Sequence, residues 1–227
     1  LHDCPFIPGS SLKGALRSYL EAVARGMAPE GADLGRVACE PTDEGTMCVD
    51  AERIRVLKNA AEDDATLTAT LIDELCLACQ TFGSPWLASP VRVHDLPVVE
   101  EEWFGQFDVR DGVAIDRDKG TAADGKLYDY EVVPAGTRFR FRIEAENLDA
   151  WQRGLLWLGL RALERGDVAL GGFASRGLGW VELKDLEVRF VEGAQGLLSS
   201  LGEEEAGEPV STDVAKSWAK AFRGALN

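Results

Sequence analysis

Histidine is almost missing from this chain: 227 residues contain only His2 and His94. General acid–base chemistry draws on histidine more than on any other side chain, and no serine-centred nucleophile motif accompanies either one. His94-Asp95 is a catalytic pair on paper, but a strand-end hydrogen bond is the expected role. Positive charge is also short, with 24 Lys and Arg against 39 Asp and Glu and a formal net charge of −15. That sign opposes bulk attraction to polyanions. No run of about 18 apolar residues occurs, so a membrane-spanning helix is not expected, and there is no signal-peptide pattern.

Distribution tempers the charge. Glu203, Glu204, Glu205 and Glu208 fall in a polar tail segment and Glu62, Asp63 and Asp64 in an insertion, while basic residues recur near the start, around Arg110 to Lys126 and at Arg176. The hydrophobic fraction of 45% supports a real core.

The densest stretch is Pro5-Phe6-Ile7-Pro8-Gly9-Ser10-Ser11-Leu12-Lys13-Gly14-Ala15-Leu16-Arg17. The prolines favour an extended approach, Gly9 allows a tight turn, and Ser10 or Ser11 is placed to cap a helix. Leu12, Leu16, Tyr19, Leu20 and Val23 recur at helical spacing and predict a buried face. Lys13 and Arg17, four apart, share another face. Amides, hydroxyls and cations together suit phosphate; an ordinary capped amphipathic helix suits the same residues.

Four of five cysteines lie between residues 27 and 82, as Cys39-x8-Cys48 and then Cys76-Leu-Ala-Cys79. Two close pairs suit tetrahedral zinc, and the long excursion between them adds closure entropy only slowly. A redox Cys-x-x-Cys leaves the first pair unexplained, and a disulfide framework lacks a secretory context. Four protein ligands leave no open position, so such a zinc is structural. Cys4 stands apart as a small apolar residue. Gly26 to Gly45 reads as loop, with helices expected at Ala51–Ala61 and Leu67–Leu75.

Phe82-Gly83-Ser84-Pro85 precedes a predicted strand through Val91, Val93 and His94. Residues 103–135 read as an excursion in which Val113 and Ile115, with Arg110 and Arg117, project on a ribbon, and Lys119–Lys126 reads as turn. Phe139, Phe141 and Ile143 alternate with Arg138, Arg140 and Arg142, a strand pattern. Trp151, Leu155, Leu158 and Ala162 predict a helix over 150–165. Leu170-Gly171-Gly172-Phe173-Ala174-Ser175-Arg176-Gly177-Leu178-Gly179-Trp180 is neither a Walker loop nor a dinucleotide fingerprint. Its glycines, with Ser175 and Arg176, can admit a phosphate or simply turn the chain before a strand Val181–Phe190. A linker follows, then a helix from Thr212 to Ala225.

The motif at Pro8-Gly9-Ser10-Ser11-Leu12-Lys13-Gly14, the four cysteines, Phe82-Gly83-Ser84, Ile115-Asp116-Arg117 with Gly120-Thr121-Ala122, and the glycine loop stand in one order. In that order the chain resembles the CRISPR-associated RAMP superfamily, in particular the backbone subunits of type III effector complexes; the cysteine insertion favours a type III-D-like member. The resemblance implies an α+β, ferredoxin-like (RRM-type) core over 1–190, with a zinc-binding insertion at 27–82 and a thumb hairpin at 103–135. An acidic linker and C-terminal helix occupy 191–227.

It further implies a cytoplasmic ribonucleoprotein subunit in antiviral defence, binding guide RNA and complementary target RNA alongside other effector subunits. Its RNA contacts would come from Ser10, Ser11, Lys13, Arg17, Arg117, Gly171, Gly172, Ser175, Arg176 and Gly177, and its structural zinc would be held by Cys39, Cys48, Cys76 and Cys79. Family members cut target RNA through an acid in a loop ahead of the motif. Asp3 stands too close to Pro8 for that loop, so no catalytic residue is assigned. Because the chain starts with Leu1, the cutting acid and the first strand of the fold are expected upstream. The alternatives are a RAMP endoribonuclease processing precursor guide RNA, which the scarcity of histidine opposes, and a zinc-stabilised interaction module without RNA, which the charge favours.

Overall fold

Helix α1 (Gly9–Met27) buries Leu12, Leu16, Leu20 and Ala24 to 3% exposure or less, a stripe spaced four residues apart that forms the core face of the helix. Tyr19 and Val23, expected on that face, flank it half-buried. The computed structural model describes residues 4–199 and 207–227. The chain is α+β and forms two compact units, one comprising residues 1–10 and 93–143, the other 11–92 and 144–227.

In the larger unit, α1 packs on α6 (Ala150–Glu164), where a side chain at Gly159 would press within 2.7 Å of Leu16 and 2.8 Å of Leu20. Helix α6 starts with a reciprocal cap: the Asp149 side chain accepts from the Gln152 backbone, and the Asp149 N–H donates to Gln152 Oε1 at 2.9 Å. The helix predicted at Thr212–Ala225 is α8, and Ser211 accepts at its start from the Val214 N–H. It buries Ala215, Trp218 and Phe222 against α6. Gly154 permits this approach, since a Cβ there would stand 2.1 Å from the Trp218 carbonyl.

Between α1 and α6 lie short helices α2 (Leu34–Val37), α3 (Ala51–Ala60), α4 (Asp64–Glu74) and α5 (Leu77–Phe82). Asp50 and Asp63 cap α3 and α4 by accepting from Arg53 and Thr66 amides at 2.6 and 2.7 Å, which starts α4 three residues before the position its apolar spacing suggests.

In the smaller unit, β1 (Phe6–Ile7) pairs antiparallel with β3 (Leu96–Pro97). Strands β4 (Asp108–Asp116) and β5 (Thr121–Val132) form a long antiparallel hairpin with a register shift between Val113 and Ile115. The expected turn at Lys119–Lys126 is thus mostly strand. Asp116 Oδ1 accepts from the Asp118 and Lys119 amides, and Gly120 adopts φ +67°, so the chain reverses within four residues.

The alternation at Arg138–Ile143 holds, with the apolar residues half-buried and the arginines exposed. Main-chain bonds tie the segment along its length to residues 94–99: the Arg138 carbonyl accepts from the Val99 N–H at 2.8 Å, the Arg140 N–H donates to the Pro97 carbonyl at 2.9 Å, and the Arg142 carbonyl accepts from the His94 N–H at 3.1 Å. Val98 bridges Phe139, and the assigned strand β6 is Ile143–Ala145, paired with β2 (Val91–Val93). Within Val181–Phe190, Leu183 donates to the Leu163 carbonyl at 3.0 Å, and among the described residues the assigned strand is Arg189–Phe190 (β7), paired with β8 (Glu208–Pro209). Helix α7 spans Gly193–Ser199. Among the described residues every sheet is two-stranded, and no helix is long and apolar enough to cross a membrane. The readings of His2, Asp3 and the Glu203–Glu205 run lie outside the described residues.

Candidate metal centre and nucleic-acid interface

Cys39, Cys48, Cys76 and Cys79 come together, with all four sulfur atoms within 4.8 Å of one another. Cys39 follows the single turn of α2, Cys48 precedes α3, and Cys76 caps α5, its sulfur accepting from the Cys79 N–H at 3.4 Å. A second main-chain donor, the Cys39 N–H, reaches the Cys76 sulfur at 3.4 Å. The Cys39 sulfur lies 3.6 Å from those of Cys48 and Cys79, far beyond a disulfide bond. Sulfurs bound tetrahedrally to zinc at about 2.3 Å stand about 3.8 Å apart, close to this spacing.

The cluster is packed among Val49, Ile54, Leu57, Leu71 and Leu75, with Trp86 donating to the Val49 carbonyl at 2.9 Å. Burial pushes the Cys39 thiol up to about 12. Bonds to Cys48 and Cys76, together with burial, push Cys79 up as well. Bonds from Cys48 and Cys79 and main-chain amides pull Cys76 down. Protein contacts thus favour the thiolate at Cys76 and the thiol at Cys39 and Cys79, whereas a bound cation favours thiolates. These four residues could hold a metal ion.

Basic side chains repeat along one face of helix α1, and two of them, Arg17 and Arg25, reach this centre. Lys13 Nζ donates to the Val91 carbonyl at 2.8 Å. Arg25 donates through Nε and Nη2 to the carbonyls of Ala38 and Cys39, both at 3.1 Å. Between them, Arg17 donates to Glu21 Oε1 at 2.7 Å, to the Gly83 carbonyl at 2.9 Å and to the Cys79 sulfur at 3.3 Å. Burial works against the Arg17 charge, but Glu21 and the cysteine outweigh it and hold its pKa above the ordinary value. Lys13 is shifted down, by burial first and the Arg17 charge second. Lys13, Arg17 and the Phe82–Pro85 turn line one open depression of about 440 Å³.

Ser10 and Ser11 lie inside the exposed first turn of α1 rather than capping it. The first amide, of Gly9, donates instead to Asp95 Oδ1 at 2.8 Å. A carboxylate at this helix start complements the dipole and takes the position that an anion would favour. Asp95 thus has the structural role expected of the His94-Asp95 pair. Gly9 itself is required, because a Cβ would stand 2.3 Å from the Val93 carbonyl.

The glycine loop is closed at its base by the Ala169–Trp180 bridge and by the Leu170 N–H bond to the Gly179 carbonyl at 2.8 Å. A side chain at Gly179, where φ is +75°, would meet the Leu170 carbonyl at 1.8 Å. The tip presents Gly171, Gly172, Ser175, Arg176 and Gly177 to solvent, with the Arg176 guanidinium 5.1 Å from the Phe173 ring centroid. Arg117 occupies the exposed tip of the β4–β5 hairpin, near exposed Val113 and Ile115. Arg138 and Arg140 are paired with Glu102 at 3.1 Å and Glu101 at 3.3 Å. Glu21 is one turn from Arg17, but the Gly83 and Cys79 partners of Arg17 and the Val91 partner of Lys13 are distant in sequence and carry no signal at the motif itself.

The sequence profile of the RAMP superfamily matches residues 2–182. The chain belongs to the RAMP superfamily. Among curated RAMP-like relatives, the "CRISPR system Cms endoribonuclease Csm3" of Methanocaldococcus jannaschii is 26% identical over 228 residues, 93% of this chain and 78% of that protein. The protein of the same description from Methanothermobacter thermautotrophicus is 28% identical over 193 residues, 82% of this chain and 69% of that one. A chain of a "Type IV-B CRISPR Complex" aligns with a TM-score of 0.49 at 17% identity, covering 88% of this RAMP protein and 83% of that chain.

Proposed function

We propose that this RAMP protein is a backbone subunit of a type III CRISPR ribonucleoprotein, binding guide RNA, positioning target RNA and taking part in its cleavage. The observation that carries the reading is the relationship, across nearly the whole chain, to two proteins named as Csm3 endoribonucleases. In this reading the α+β fold is a ferredoxin-like core spanning 1–190, the hairpin within 103–135 is the thumb, and 27–82 is a zinc-binding insertion. Residues 191–227 add a linker and helix. The cysteine insertion supports a type III-D-like member, and the complex works in the cytoplasm.

RNA backbone meets the exposed donors first: Ser10 and Ser11 on the first turn of α1, Arg117 at the hairpin tip, and Gly171, Gly172, Ser175, Arg176 and Gly177 on the glycine loop. Lys13 borders the same depression as the Phe82–Pro85 turn. Arg17, whose Nε, Nη1 and Nη2 all have protein acceptors, contributes by holding that turn. Zinc at Cys39, Cys48, Cys76 and Cys79 is structural, since four thiolates complete a tetrahedron. No catalytic residue is assigned: Asp3 stands too close to Pro8 for the family's cleavage loop, so Asp3→Ala is expected to preserve cleavage in an assembled complex.

Guide RNA retained through purification tests the reading. The wild-type protein is expected to carry nuclease-sensitive absorbance, and Lys13→Ala with Arg176→Ala to lose it in a salt-dependent, sequence-independent manner without unfolding. A folded wild-type protein with neither retained RNA nor affinity for added guide RNA would instead favour the interaction module that the −15 net charge suggests.

A further inference from the structure

The basic residue of the motif helix has a partner that phosphate recognition does not account for. Arg17 is half-buried, and its three guanidinium nitrogens diverge onto three acceptors from different parts of the chain. Nε meets the carboxylate of Glu21, itself only 8% exposed and one helical turn further on. Nη1 meets the carbonyl of Gly83 at the end of α5, and Nη2 meets the sulfur of Cys79. Gly83 adopts φ +91° and is itself buried, so its carbonyl is presented by a turn with little freedom to rearrange.

We propose that Arg17 is a positioning residue for the tetracysteine metal centre, holding Cys79 and the Phe82–Ser84 turn against α1 and offsetting the negative charge of the thiolates. The inference rests on the metal reading above. A divalent ion with four thiolates carries a net charge of −2, and buried charge of that kind needs donors aimed at sulfur. The main chain supplies neutral ones, the Cys39 and Cys79 amides on Cys76. Arg17 supplies a charged one on the opposite arm of the Cys-Leu-Ala-Cys knuckle.

The geometry selects arginine. Three divergent N–H bonds need the planar fork, and the ammonium of lysine cannot span acceptors on both α1 and α5 from one point. Glu21 fixes the plane of the fork, which aims Nη2 at sulfur rather than at solvent. The consequence reaches the depression beside it. Arg17 and Gly83 form part of its wall, so occupancy of the metal centre sets how firmly that wall is held.

The test uses the full chain, loaded with zinc or with cobalt(II) as a spectroscopic probe. Transfer of zinc to a chromogenic chelator is expected to be about 10- to 100-fold faster in Arg17→Met than in wild type, the range typical of lost outer-sphere partners. The sulfur-to-cobalt charge-transfer bands should shift with it. Lys13→Met, one turn away and bonded to the Val91 carbonyl rather than to a cysteine, should change neither. If Arg17→Met does not fold, Glu21→Gln keeps the arginine, loosens its plane and should give a smaller shift in the same direction. Unchanged release and unchanged cobalt bands in Arg17→Met, or in Glu21→Gln if that variant must stand in, would overturn the inference and leave the metal reading intact. A wild-type protein that takes up neither metal would overturn both. Loss of RNA by Arg17→Met with metal behaviour unaltered would return Arg17 to the phosphate-binding set.

Discussion

The tetracysteine segment and the β4–β5 hairpin, which belong to different units, solve the problem of stability in opposite ways. The tetracysteine segment carries a buried cluster: Cys76 is fully buried, Cys79, Val49 and Leu75 nearly so, and arginines from α1 tie down both arms. The hairpin turns apolar residues outward: Val109 is 64% exposed, Ile115 57% and Leu127 69%. Its order comes from cross-strand bonds and from close fits such as Tyr128, whose ring would stand 2.3 Å from a Cβ at Gly112. A segment that buries its apolar surface within its own unit serves stability, and one that leaves it exposed on a projecting ribbon is suited to insertion into a partner.

That contrast can be broken experimentally, most severely at the cysteines. Cys76→Ser with Cys79→Ser is expected to abolish binding of about one metal ion per chain and to unfold the insertion, since metal binding and local folding are one free energy. Elemental analysis and protection of residues 34–82 from proteolysis check this; retained metal or unchanged protection would mean that the apolar cluster suffices. Acid should act in the same direction on the wild type. Protons compete with the metal for thiolates, and the raised pKa of Cys39 makes its deprotonation depend on the cation.

A smaller loss is expected from Leu16→Ala on α1, where a side chain with no exposed surface is removed beneath Gly159. The cost should be about 2–5 kcal/mol in denaturant unfolding, with metal content preserved in the folded fraction. Val113→Ser with Ile115→Ser on the hairpin marks the low end. Both side chains are exposed, so stability should move by less than about 0.5 kcal/mol per site, while affinity for a guide–target duplex falls. A melting temperature lowered as far as by Leu16→Ala would show the hairpin to be part of a core and erase the contrast.

Much of the site could be read before any fold was known. The pairs Cys39/Cys48 and Cys76/Cys79 announce a four-cysteine cluster because each short spacing lets two sulfurs reach one point, and the leucines of α1 announce its buried face because helical period and burial coincide. The start of α1 was legible only in outline. Ser10 and Ser11 are there and exposed, but the helix start they were to cap belongs to Asp95, and Arg17 turns toward sulfur.

What the sequence alone determined, then, is local: the periodicities of α1, α6 and α8, the cysteine pairs, the glycines that let Gly9 and Gly179 meet carbonyls, and the alternation at Phe139, Phe141 and Ile143. Tertiary structure decided the partners. Asp95 finds the Gly9 amide across 86 residues, and Arg17 finds Cys79 across 62. The alternating segment finds its main-chain partners at His94, Pro97 and Val99, some forty residues earlier in the chain. A side chain's period follows from its own backbone, whereas a hydrogen bond needs an acceptor delivered by another part of the chain, and only the packed fold delivers it.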